Sequence, residues 1–189
     1  MCNARQAEPS AIPATFLLCG PPLRHEGFVS VRIPCYTPRM TNQIKFTVAL
    51  GADHGGFKLK DALAEWLRKQ GHDVRDFGTN GPDSVDYPDL AHVVCHSVLS
   101  GEARFGVLVC GTGLGMSYAA NRHAGIRCAM VNETTSTRLA RQHNDANMLS
   151  LGGRMIGEEA AFDILATFLA TEFEGGRHER RIAKIETGV

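Results

Sequence analysis

The 189-residue chain has six cysteines (2, 19, 35, 95, 110 and 128) but no Cys-x-x-Cys pair, and none of them is spaced with histidine as zinc ligands are. A disulfide framework or a structural metal is therefore not expected. There is no charge excess either: twenty Lys and Arg balance twenty Asp and Glu, so the basic surplus that favours nucleic acid is missing. No apolar run approaches the ~18 residues that span a bilayer. Thr15-Phe-Leu-Leu-Cys19 comes nearest to a signal core, and it falls short of the ~7 to 15 residues such a region needs. Tryptophan occurs once, whereas glycine occurs twenty times. The expectation is a cytoplasmic globular α/β protein with many tight turns and no membrane or nucleic-acid partner.

The chain divides near Met40. Six of the eight prolines and three of the six cysteines fall in the first 39 residues, which show neither helical nor strand periodicity. That segment reads as a disordered extension, with Met40 as the natural start; the rival reading is an organellar transit peptide, which the prolines oppose. Residues 40–189 read as a single domain ending in a helical tail.

From Lys45 onward, short apolar runs alternate with longer amphipathic stretches. Phe46-Thr-Val-Ala-Leu50 suits a buried parallel strand. A helix over 57–70 follows, with Leu59, Leu63, Trp66 and Leu67 on its apolar face, charges opposite and Gly71 as the stop. The pattern continues as strand 74–77, then a helix opening at Pro88 with a stripe of Leu90, Val93, Val94 and Val98. Next come strand 105–110, helix 114–122, strand 126–131, helix 134–143, strand 147–151 and helix 158–173. Five β-α units in series predict a three-layer, doubly wound, Rossmann-like five-stranded parallel sheet with helices on both faces. Ligands of such sheets bind beyond the carboxyl ends of the strands.

The richest stretch is Val107-Leu-Val-Cys110-Gly-Thr-Gly-Leu-Gly115-Met. It delivers a cysteine from an apolar strand into a glycine turn that opens a helix. Backbone amides crowd such a turn, favouring a thiolate and an anion beside it. A thiolate facing an oxyanion hole suits proton abstraction next to a carbonyl, or alternatively nucleophilic attack. Cys95 and Cys128 lack this setting and belong in the core. Gly51-Ala-Asp53-His54-Gly55-Gly56 follows the first strand, and Arg141-Gln-His143-Asn144-Asp145 closes the fourth helix. His143 should thus lie on the opposite rim of its own subunit and reach the Cys110 site only across a dimer interface. The bland alternative is a helix-end cap. Histidines 72, 92, 96 and 123 carry no motif and are expected to be solvated.

Residues 45 to about 186 resemble the ribose-5-phosphate isomerase B family, which also includes galactose-6-phosphate isomerase subunits. The resemblance rests on Ala-Asp-His-Gly-Gly at 52–56, Asp-Tyr-Pro at 86–88 and Cys-Gly-Thr-Gly-Leu-Gly at 110–115. Arg-Gln-His-Asn-Asp at 141–145, Gly-Gly-Arg at 152–154, and Glu-Gly-Gly-Arg-His at 174–178 with Arg181 complete it. It implies an aldose–ketose isomerase that interconverts D-ribose 5-phosphate and D-ribulose 5-phosphate through a cis-enediolate, with no metal and no cofactor. On this resemblance Cys110 is the general base. The amides of Gly111, Thr112, Gly113, Leu114 and Gly115 hold the oxyanion, and Thr112 relays a proton between O1 and O2. His143, with Asp53, opens the furanose ring. His54, Arg177 and Arg181 grip the phosphate, Asn144 and Arg154 make further ligand contacts, and Tyr87 lines the sugar pocket. Some members use a glutamate just after the last glycine of the turn. Here that position is Met116, so the base falls to Cys110. Partners implied are a small sugar phosphate and a second copy of the chain in a homodimer with shared sites; whether dimers pair into tetramers stays open.

Rival functions fit less well. A dinucleotide-binding oxidoreductase needs Gly-x-Gly-x-x-Gly after the first strand, whereas the spacing here is Gly-x-Gly-x-Gly after the third. A cysteine hydrolase using Cys110, His143 and Asn144 has no need of the arginines at 177, 180 and 181, of which Arg180 fits no phosphate position. The arginines also admit a plain solvated face. A non-catalytic sugar-phosphate sensor need not retain a base. One chain holding every group opposes the galactose-6-phosphate type, which divides them between two subunits. A hexose 6-phosphate such as allose 6-phosphate stays open, because one carbon of depth discriminates only modestly.

Overall fold

A computed structural model describes residues 44–187, and the expected extension over 1–39 lies outside them. The element order is β1 (Thr47–Ala52), α1 (Phe57–Lys69), β2 (Asp73–Asp76), α2 (Tyr87–Leu99), β3 (Phe105–Cys110), α3 (Leu114–Ala120), β4 (Cys128–Met130), α4 (Thr134–Asn144), β5 (Met148–Gly152), α5 (Glu158–Ala170) and α6 (Arg177–Glu186). All four strand pairings are parallel, in the order β2-β1-β3-β5-β4. The chain winds outward from β1 to β2, then crosses back to β3 on the other side of β1. The crevice between the carboxyl ends of β1 and β3 is therefore the switch point at which such sheets place ligands.

Strand alternation builds two cores. Val48, Leu50, Ala52, Phe105, Val107, Val109, Leu149 and Leu151 face the layer of α1 and α5, into which Leu59, Leu63, Leu67, Ile164, Leu165 and Phe168 pack. Ala49, Leu108, Cys110 and Met148 face α2 and α3, where Ala91, Val94, Cys95, Met116 and Ala120 meet them. Strands buried on both faces read as continuous apolar runs, which is why they are legible in the sequence.

Several expectations need correcting. The charges of α1 do not all face water: Lys60 is completely buried. Its Nζ donates to Asp76 Oδ2 at 2.6 Å and to Asn80 Oδ1 at 3.0 Å, and pairs with Asp61 at 2.9 Å. A buried ammonium persists only with such partners. The pairing ties α1 to the loop after β2, which in turn bonds the end of β1 through Ala52 N to Gly78 O and Thr79 N to Ala52 O. Replacing Lys60 with Met is expected to cost about 3 kcal/mol, because Asp76 loses its partner, and adding Asp76→Asn should recover much of it. Urea unfolding of the single and double variants checks this.

On α2 the inward face is rotated: Ala91, Val94, Cys95 and Ser97 are buried, while Val93 is 44% exposed. His72 is buried, not solvated. Its Nδ1 accepts the Phe46 amide at 3.2 Å, and its ring stacks on Phe46 at 5.8 Å. Burial holds this imidazole below the ordinary histidine range, and an Nδ1 that accepts must be neutral. His92 and His123 are half-buried and share a contact, His92 Nδ1 to His123 Nε2 at 2.7 Å, while the exposed His96 lays its ring edge-on against His123. Among the described residues no helix is long and apolar enough to cross a membrane.

Candidate active site

The ends of β1, β3 and β5 converge at the switch point. Asp53 N donates to Val109 O at 3.1 Å, carrying the β1–β3 pairing one residue into the loop. The Asp53 carboxylate, largely buried, accepts the Gly55 amide at 2.8 Å and closes a tight turn. That turn runs against β3 closely enough that a Cβ on Gly56 would stand 2.4 Å from Val109 O, so only glycine fits. His54 is partly buried, and its Nδ1 is shut from water with no protein partner.

Cys110 ends β3 with its side chain toward α2 and α3, only 5% exposed. Its Sγ receives the Gly113 N–H at 3.1 Å. Gly113 takes φ +82°, a conformation L side chains resist, and its carbonyl is pinned by the Ser150 hydroxyl at 2.5 Å. The exposed Thr112 Oγ1 accepts the Leu114 amide at 3.3 Å. Because α3 has only seven residues, shorter than the 114–122 expected, its dipole adds little, and the directed turn amides are the main anion-binding feature. Two side chains close the rim: the Tyr87 ring sits 2.8 Å from where a Gly115 Cβ would be, and the Arg154 guanidinium lies 3.6–3.7 Å from the equivalent point on Gly111. Backbone bonds Gly153 N to Cys110 O at 2.8 Å and Arg154 N to Gly111 O at 3.1 Å lock the β5 loop onto the cysteine turn.

The remaining candidates gather at the opposite end of the strands. Arg141 is buried; it bonds Asp145 Oδ1 and Ala146 O, both at 2.7 Å, and stacks over Phe105 and Phe168. Asp145 adopts φ +43° and is also held by Arg127 at 3.1 Å. Arg141 and Asp145 are thus scaffold, whereas the resemblance gives roles in this stretch to His143 and Asn144 alone. Between them they leave His143 and Asn144 at the surface. The His143 ring stacks on His178 at 4.4 Å with 5° between planes, and Glu174 Oε2 stands 3.8 Å and 4.0 Å from the two Nε2 atoms. Burial holds His178 below the usual histidine range; His143, Arg177 and Arg181 push the same way against Glu174. Arg177 and Arg181 are exposed on α6, whose far end is tied back by Glu186 to Gly125 N at 2.8 Å.

The two sets do not meet within one chain. Arg141 packs on Phe105, the first residue of β3, and Cys110 is the last; a strand of that length spans about 16 Å. A nucleophile–base pair of Cys110 and His143 in a single subunit is therefore excluded. Ligand atoms of His143, Glu174 and His178 lie within 4.8 Å of one another. Each imidazole lone pair lies in its own ring plane, however, so two parallel stacked rings cannot both aim at one ion. Cys95 and Cys128 are core thiols, as expected: burial pushes Cys95 up to about 12 and Cys128 higher still.

The family model described as Ribose/Galactose Isomerase matches residues 48–185. Ribose-5-phosphate isomerase B of Escherichia coli is 44% identical over 138 residues, covering 73% of this chain and 93% of that protein. D-erythrulose-4-phosphate isomerase of Pectobacterium atrosepticum is 38% identical over 141 residues, covering 74% and 92%. The solved ribose 5-phosphate isomerase of Thermotoga maritima superposes with a TM-score of 0.74 at 54% identity, covering 75% of this chain and 98% of that one. With the five-stranded parallel sheet and the cysteine turn at its switch point, these matches show that the chain belongs to the ribose/galactose isomerase family.

Proposed function

We propose that this protein interconverts D-ribose 5-phosphate and D-ribulose 5-phosphate as a homodimer with two shared active sites. The observation that carries this reading is the split of the candidate residues between opposite ends of the strands. Asp53, His54, Tyr87, Cys110, the amides of 111–115 and Arg154 surround the crevice, whereas His143, Asn144, Arg177 and Arg181 face away from it. A second copy supplies the missing half.

The chemistry then runs in two stages. His143 protonates the ring oxygen while Asp53 takes the proton of the anomeric hydroxyl; the bond from C1 to the ring oxygen breaks and leaves the open aldehyde. The Cys110 thiolate next removes the C2 proton, and the electron pair forms C1=C2, leaving an enediolate oxygen among the turn amides. Thr112 relays the O2 proton to O1, and the thiol returns its proton to C1, giving the ketose. Arg177 and Arg181 of the opposite subunit, with His54, hold the phosphate, for which guanidinium forks are suited. Tyr87 and Arg154 border the sugar, and Asn144 adds a further contact. Met116 is buried and cannot accept a proton, so position 116 supplies no rival base to Cys110.

The test uses the full chain on ribose 5-phosphate, with Cys110→Ala and His143→Asn variants assayed singly and after mixed refolding. Each variant alone should be nearly inactive. Random pairing places one intact Cys110 opposite one intact His143 in half the dimers, at one of two sites, so about a quarter of wild-type activity should return. No recovery from folded mixed dimers would sink the shared site. An active hexose 6-phosphate reaction with no ribose 5-phosphate turnover would overturn the pentose assignment.

A further inference from the structure

We propose that His178 is a positioning residue for ring opening: its buried imidazole, stacked face to face on His143 beside the Glu174 carboxylate, holds the His143 ring in the orientation that meets the sugar oxygen. The inference rests on the role of His143 given above and adds a residue to it.

Three observations converge. His143 is more than a third exposed and sits on the last turn of α4, where its own helix gives it little side-wall support. His178 is only 8% exposed in its side chain, and its ring lies parallel to His143 at 4.4 Å. Glu174 completes the arrangement at 3.8 Å and 4.0 Å from the facing Nε2 atoms, and its backbone is fixed to α4 by Glu174 N to Gln142 O at 3.0 Å. An exposed imidazole free about two torsions would spend little time in a reactive pose; a flat buried ring against one face removes most of that freedom. The same α6 turn carries Arg177 and, one turn on, Arg181. Phosphate capture and alignment of the ring-opening imidazole are thereby built into one rigid piece.

A purely structural histidine that merely docks α6 would weaken every reaction alike. A positioning residue for ring opening would not. A tetrose 4-phosphate separates the cases, because its C4 oxygen carries the phosphate and cannot close a furanose ring. The full chain, His178→Ala, His178→Phe and His143→Asn are assayed on ribose 5-phosphate and on erythrose 4-phosphate. His178→Ala should lower kcat on ribose 5-phosphate by about tenfold or more, with KM and the erythrose 4-phosphate rate changed by no more than about twofold. His178→Phe, which keeps a flat ring in the stack, should restore most of the loss. Equal losses on both substrates, no loss on either, or no rescue by Phe would overturn the inference. Equal losses for His143→Asn on both substrates would instead show that the ring-opening role of His143 itself is wrong, and the inference would fall with it.

Discussion

Cys110→Ala is expected to reduce kcat on ribose 5-phosphate by about 10³-fold while leaving KM within about threefold. The sulfur stands where β3 meets the glycine turn and accepts the Gly113 N–H at 3.1 Å, while the Asp53 carboxylate of the same crevice is engaged by the Gly55 amide. Met116, the neighbouring position where a rival base would sit, is buried and apolar. Substrate affinity should persist because the proposed phosphate contacts, His54 and the distant arginines, are untouched. The fate of the C2 hydrogen gives the sharper readout: with substrate deuterated at C2, the wild-type chain should clear the label from C2, to C1 or to solvent, and the variant should leave it in place. Label loss undiminished in Cys110→Ala would transfer the base role elsewhere. Thermal melting of the variant guards against a folding artefact, since only one sulfur is removed from the α2–α3 core.

His143→Asn is expected to lower turnover of ribose 5-phosphate by about 10²-fold and to leave erythrose 4-phosphate within about twofold. Ribose 5-phosphate exists mainly as a furanose closed through its C4 hydroxyl, so it must be opened before C2 becomes acidic. The tetrose 4-phosphate, the substrate class in the name of one relative, arrives open. Asparagine keeps the size and polarity of the side chain and removes its proton transfer. On the proposed mechanism both reactions use the Cys110 thiol and the turn amides, so Cys110→Ala should disable both, and the contrast between the two variants assigns each residue to its stage. Should the asparagine variant convert ribose 5-phosphate at the wild-type rate, ring opening would not involve this histidine.

Much of the fold was legible because its strongest signals are local. Continuous apolar runs announce parallel strands, and Gly111, Gly113 and Gly115 announce a turn whether or not anything packs on it. What escaped depends on partners far along the chain. Lys60 reads as a surface charge until Asp76 and Asn80, 16 and 20 residues later, enclose its ammonium. His72 reads as solvated until the Phe46 amide, 26 residues earlier, claims its Nδ1. His92 and His123 are 31 residues apart and meet only when α2 packs on α3. Within the site, the resemblance singles out His143 and Asn144 in 141–145, and burial gives the physical ground for it: Arg141 and Asp145 fasten the helix end, and His143 and Asn144 are what it presents. His178 stands in the motif at 174–178 without a role, because nothing in a linear reading shows that its ring is stacked on His143.

The alternation of β3 has a consequence for how this chemistry can be lost or kept. Val109 points into the α1–α5 layer and Cys110 into the α2–α3 layer, so the thiol's side of the sheet is a matter of odd or even position. Inserting or deleting one residue within the strand would keep every side chain of the motif in the sequence, yet turn the sulfur through the sheet into packed hydrocarbon, away from the Gly113 amide. A change of two would restore the side but move the sulfur by about 7 Å along the strand. On the proposed role of Cys110, the catalytic address is thus written twice, as a parity and as a count, and a chain with all its motif letters intact could still have lost it.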